Sequence, residues 1–152
     1  MRRHPLLLTV TTAYLAFVGW VTLGPQPLDS SNNGLLLRAL GFFARHDSTD
    51  WITYGRVEFA ANIAMFIPVG VFLLLLFGRR LWWLAIALGL LLTGSIEFTQ
   101  QFLPTRFPDV RDLVANGSGA ALGVLIALVQ TMYQVVRRDE ARPRRAAATY
   151  SR

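Results

Sequence analysis

Glu97, Gln100, Gln101, Arg106, Asp109, Arg111, Asp112 and Asn116 stand within one stretch, Ser95 to Gly123 (SIEFTQQFLPTRFPDVRDLVANGSGAALG), between and inside apolar runs. Carboxylates, amides and guanidinium groups in that mixture can hold a cation, move a proton or grip a phosphate. If the apolar run before it is helical, Glu97 and Gln101 are four apart and Gln100 is three away, so they share a face. A second helix is expected to begin near Pro108, a favoured first-turn residue. From there Asp109, Asp112, Asn116, Gly119 and Gly123 fall at i, i+3, i+7, i+10 and i+14, a single stripe that is polar first and small afterwards. Two antiparallel helices joined by a short loop at Leu103 to Phe107 would carry these groups.

The elements that must position them are apolar. The chain has 152 residues, 53% hydrophobic and only 16% charged, with a mean hydropathy of +0.41; a soluble domain carries about a quarter charged residues. Four apolar blocks approach the roughly 20 residues a helix needs to cross a bilayer. The expected fold is all-α, a four-helix transmembrane bundle over residues 1–136, followed by a basic, mobile cytoplasmic tail over 137–152 with no apolar period. The spans read as Pro5 to Leu23, Val57 to Phe77, Leu81 to Phe102 and Asp112 to Tyr133. No small-x-small site precedes Pro25, so the first block is read as an uncleaved span. In the first outer loop, Leu35 to Arg45 forms a short amphipathic segment expected to lie in the interface, with Trp51 and Tyr54 beside it. Glu58 and Asn62 share a face of the second span, Pro68 should kink it and free a carbonyl for a neighbour to satisfy, and Gly70 follows. Gly119 and Gly123 form a GxxxG pair that lets another helix approach closely.

The formal charge of +6 comes from 15 basic residues, all arginine. They flank the apolar blocks as membrane anchors do, which argues against nucleic acid as a partner. With the N-terminus inside, Arg2, Arg3, Arg79, Arg80, Arg137, Arg138, Arg142, Arg144, Arg145 and Arg152 are cytoplasmic. Arg38, Arg45, Arg56, Arg106 and Arg111 face the other side, so both termini are expected in the cytoplasm of a multi-pass cell-membrane protein. The absence of Cys excludes disulfides, thiolate zinc sites and Cys nucleophiles. No cofactor motif is present: Gly117-x-Gly119 with Gly123 lies inside an apolar helix without the strand a nucleotide loop requires. The oxygen donors suit Mg²⁺ or Ca²⁺ by type, but no sequential metal motif supports a metal site.

Glu97 lies five residues from the end of its span, Asn62 four from Glu58, and Asn116 four from Asp112. At about 1.5 Å per residue each sits roughly 6 to 8 Å below the outer rim. A carboxylate facing lipid costs several kcal/mol, so Glu97 should point inward. Asn62, Glu97 and Asn116 are therefore expected to converge in a polar pocket, with Gln101 on the Glu97 face and Arg106, Asp109 and Asp112 at its mouth. Each residue also has a plainer reading: Asp109 and Asp112 as helix N-terminal residues that complement the dipole, the two Asn as interhelical hydrogen-bond partners, and the arginines as interfacial anchors.

The pattern Asn62-x-x-x-Phe66-x-Pro68-x-Gly70, then Glu97-x-x-x-Gln101, then Arg106-x-x-Asp109-x-x-Asp112-x-x-x-Asn116-x-x-Gly119-x-x-x-Gly123 resembles the VanZ-like family of small membrane proteins. The Thr22-Leu23-Gly24-Pro25 exit from the first span is similar too. That family takes its name from a member associated with teicoplanin resistance. The resemblance implies a role in the cell envelope, with membrane lipids and a lipid-linked cell-wall precursor or glycopeptide as partners, and it supplies no reaction. Two other classes compete. A proton-coupled exporter working as a homodimer would need a carboxylate reachable from both sides, and Glu97 is close to one rim. A membrane-embedded enzyme would have to work with carboxylates and Arg alone, since no Ser-His, Cys-His or His-rich set is present.

Overall fold

A computed structural model of the chain describes residues 5–24, 52–104 and 109–150, the last segment with side chains only as far as Val135 and at Arg137. The basic head, the amphipathic segment at Leu35 to Arg45, Trp51 and Arg106 lie outside the described residues. Helix α1 is Pro5–Leu23, α2 is Tyr54–Phe77, α3 is Trp82–Gln100 and α4 is Val110–Tyr150. A single 3-10 turn, Arg79–Leu81, joins α2 to α3. Four segments are long and apolar enough to cross a membrane: Pro5–Leu23, Tyr54–Phe77, Arg79–Gln100 and Val110–Val135.

Helices form here because a segment inside lipid must satisfy every backbone group within itself. Their ends follow local chemistry. At Gly78 the backbone turns to a φ of +82°, which favours glycine, while its N–H donates to the Leu74 carbonyl at 2.7 Å and closes α2. Helix α4 starts at Val110, two residues after Pro108, with the Asp109 carboxylate accepting the Arg111 N–H at 2.8 Å as its N-cap. Past the apolar block the backbone of α4 stays helical to Tyr150, across the tail expected to lack regular structure. Ala, Arg and Glu are strong helix formers, and extending an existing helix carries no nucleation cost.

Both α1 and α4 pack on α2 and α3, with the most extensive packing between α2 and α4. Connectivity makes α2 and α4 parallel to each other and antiparallel to α1 and α3. The core holds Val18, Phe66, Val69, Leu73, Leu74, Ala85, Ile96, Ala120, Val124 and Ala127. Helix α4 buries its small residues, Ala115, Gly117, Gly119, Ala120, Gly123 and Ala127, and exposes Val114, Leu122, Leu125, Ile126 and Val129. In water the large side chains would be buried; in lipid they face outward at no cost, while small ones let backbones approach and gain dispersion contact.

The approach is closest between α2 and α4. A Cβ on Gly119 would meet the Ile63 carbonyl oxygen, one on Gly123 the Ile67 carbonyl oxygen, and one on Gly70 the Ala120 carbonyl oxygen. Pro68 lies within α2, whose helix continues through it. The Tyr14 hydroxyl of α1 donates to the neighbouring Met65 carbonyl at 2.8 Å, so a side chain from another helix serves the backbone beside the proline.

Candidate functional site

The polar residues gather where α1 and α3 finish and α2 and α4 begin. Asp112 stands three residues after the Asp109 cap, the position from which an acidic side chain ordinarily reaches back to the cap's own N–H. It does not do so here. Its carboxylate accepts from the Asn62 amide of α2 at 2.8 Å, and the Asp109 N–H donates instead to Glu97 Oε2 of α3 at 3.1 Å. A capping arrangement usually closed within one helix is thus opened across three. It ties α2 and α3 to the first turn of α4, whose partial positive charge favours the carboxylates around it. Three carboxyl groups, Glu97, Asp109 and Asp112, thus stand together at this end of the bundle.

Arg111 turns the other way. Its guanidinium donates to the Gly55 carbonyl in the first turn of α2 at 3.3 Å. A Cβ at Gly55 would lie 3.3 Å from Arg111 Nη1, so glycine there leaves the guanidinium room against the backbone.

Asn116 is one turn further in. It is 2% exposed, and its Nδ2 donates to the Thr93 hydroxyl of α3 at 3.1 Å. Its Oδ1 is buried with no hydrogen-bond partner in the structure. Thr93 precedes Glu97 by four on α3 and Asn116 follows Asp109 by seven, so the Asn116–Thr93 and Asp109–Glu97 bonds form two rungs along one interhelical seam. The outer rung carries charge and the inner rung is neutral.

The structure therefore brings Asn62, Glu97, Asp109 and Asp112 to one end and sets Asn116 below them, in place of the single convergence expected of Asn62, Glu97 and Asn116. Two geometric facts separate the asparagines. Side chains on a helix lean toward its N-terminus, so Asn62 reaches up to Asp112. Four residues also advance a helix by about 400°, some 40° past a full turn. That rotation carries Asn116 away from the α2 side, held by Gly119 and Gly123, toward α3.

Gln101 departs from expectation as well. Helix α3 ends at Gln100, and Gln101 lies exposed in the turn that follows. Gln100 is the buried glutamine; its Nε2 donates to the Thr22 carbonyl at 2.9 Å, at the end of α1 where the last carbonyls have no helical partner. Thr93 is the contributor that sequence reasoning passed over, and Gln100, placed on the Glu97 face, was not counted in the expected pocket. Spacing offered a signal for both, since Thr93 and Gln100 lie four before and three after Glu97. Among the described residues, no group of three or more His, Asp or Glu side chains is arranged to hold a metal ion.

A family model described as VanZ/LLP1 matches residues 11–132, which include Asn62, Thr93, Glu97, Gln100, Asp109, Asp112 and Asn116. No curated protein and no solved structure matches the chain.

Proposed function

The chain belongs to the VanZ-like family, and from that premise we propose that it acts at the outer leaflet of the cell envelope, binding or modifying a lipid-linked or glycopeptide-related ligand. The observation that carries this reading is the cross-helix set at one end of the bundle, Asn62 to Asp112 and Asp109 N–H to Glu97. Carboxylates are costly beside lipid, and a bundle held by small-residue packing does not need three of them at one end. Their position near the rim suits a ligand that approaches from the aqueous side or sits among head groups. The arginine asymmetry in the sequence supports that end as the outer one.

The exporter reading is weaker, because Glu97 stands one turn from the end of α3 and not at the bilayer centre. To test the binding reading, the purified protein in lipid nanodiscs is offered a lipid-linked cell-wall precursor or teicoplanin in competition with bulk phospholipid. Selective retention that falls in Glu97→Gln is the expected result, and equal retention of all lipids with no teicoplanin bound would sink it. Mass spectrometry of the recovered lipid separates binding from turnover.

A further inference from the structure

Three features coincide on the α3–α4 seam. The carboxyl groups of Glu97 and Asp109 stand at its end. Among the described residues no basic side chain pairs with Glu97, which accepts the Asp109 N–H, and Arg111 spends its guanidinium on Gly55. One turn deeper on the same seam, Asn116 Oδ1 is a buried acceptor without a donor. On the outward side of the seam an apolar groove of about 420 Å³ is lined by Ile86, Leu90, Leu113, Val114, Gly117 and Ser118.

Their registers connect them. Leu113 follows Asp109 by four residues, one turn, so the groove begins where the carboxylates end. Leu90 precedes Glu97 by seven, about 10 Å along α3. Gly117 lines the groove directly beside Asn116 in the chain. An occupant of this seam meets carboxyl groups at one end and a largely apolar lining along the rest, broken by the Ser118 hydroxyl.

We propose that the α3–α4 seam binds a lipid whose head carries a primary ammonium, held at Glu97 and Asp109, with one of its chains lying along the Leu90–Leu113–Ser118 groove. This rests on the reading of the polar end as a head-group site, and it adds the class of head group. A primary ammonium brings positive charge to the carboxylates and N–H donors to a site rich in acceptors. A quaternary ammonium brings charge without donors. A head group that carries no cation offers Glu97 and Asp109 nothing to pair with.

The test uses the full chain in phosphatidylcholine nanodiscs doped equally with phosphatidylethanolamine and phosphatidylglycerol, with retained lipid counted by native mass spectrometry. Phosphatidylethanolamine is expected to be retained about tenfold over the other two. Glu97→Gln should bring that preference toward parity with an unchanged melting temperature. Ser118→Phe, at an exposed groove position, should lower retention of phosphatidylethanolamine while the protein stays folded. Equal retention of phosphatidylcholine, preference for phosphatidylglycerol, or a preference indifferent to both substitutions overturns the proposal. A lipid-linked precursor arm separates the two readings. Precursor retained without phosphatidylethanolamine removes the ammonium assignment alone, and retention of neither removes the head-group site as well.

Discussion

Helix α4 has two seams built on opposite terms. Toward α2 it presents Gly119 and Gly123 to the Ile63 and Ile67 carbonyls, and Gly70 returns the contact at Ala120, so backbone touches backbone. Toward α3 the glycines meet side chains: a Cβ on Gly89 would lie 2.7 Å from the Ala120 Cβ, and one on Gly117 2.9 Å from Leu90 Cδ2. The first seam is parallel, glycine-lined and closed. The second is antiparallel, holds the Thr93–Asn116 and Glu97–Asp109 bonds, and leaves a groove on its outer side. Where backbones touch there is no volume for a polar side chain or a ligand. Where side chains hold the helices apart there is, at the cost of dispersion contact. One helix can thus fix the bundle with one face and offer binding groups with the other.

The contrast can be broken at its strongest point first. Gly123→Leu drives a side chain into the Ile67 carbonyl, where only backbone movement can relieve it; a loss on the order of 3 kcal/mol, the upper end for overpacking, or failure to fold is expected. Gly94→Leu is the control, since nothing lies within 4 Å of a Cβ there. Thermal unfolding in detergent checks the pair, and equal melting of the two variants would mean that the α2–α4 seam is no tighter than the rest.

A smaller effect belongs to the α3–α4 seam. Thr93→Val leaves the Asn116 amide with no partner at either end, at an expected cost of about 1–3 kcal/mol. Adding Asn116→Leu removes the stranded group and should restore most of that stability. A double-mutant cycle reads the coupling directly. Without coupling, the inner rung contributes nothing to joining the helices.

The smallest change separates capping from ligand binding at Asp109. Asp109→Ala loses the cap and should cost about 1 kcal/mol, whereas Asp109→Asn keeps it and should unfold like the wild type. If Asp109 also serves a cationic head group, the Asn variant loses lipid preference while keeping stability. Identical lipid binding by the Asn variant would confine Asp109 to the cap.

Much of the bundle was legible in the residues. Pro5–Leu23 and the Phe77 end of α2 fall where hydropathy sets them, and Gly119 and Gly123 meet a neighbouring helix as their spacing suggested. The start of α2 moved to Tyr54, three residues before the expected Val57. The site was read less fully. Gln100 and Gln101 are adjacent, and only the end of α3 at Gln100 tells which one is buried. Asn116 was grouped with Asn62 by depth, but depth does not say which neighbour a side chain turns to. Spacing aligns Thr93 with Glu97, but nothing in spacing sets Thr93 apart from threonines that bond their own helix backbone, as Thr11 and Thr22 do with the Leu7 and Val18 carbonyls.

By itself the sequence determined the membrane class, the four spans and the polar character of the stretch after Ser95, because a helix in lipid closes its hydrogen bonds within its own segment and needs only a long enough apolar run. Only the tertiary structure decided that Asp112 serves α2 while Asn116 serves α3, and that Glu97 takes the Asp109 N–H in place of Asp112. Spacing along one chain gives the rotation of about 40° and the lean of side chains, but which neighbour stands at that angle depends on how the helices are placed around one another.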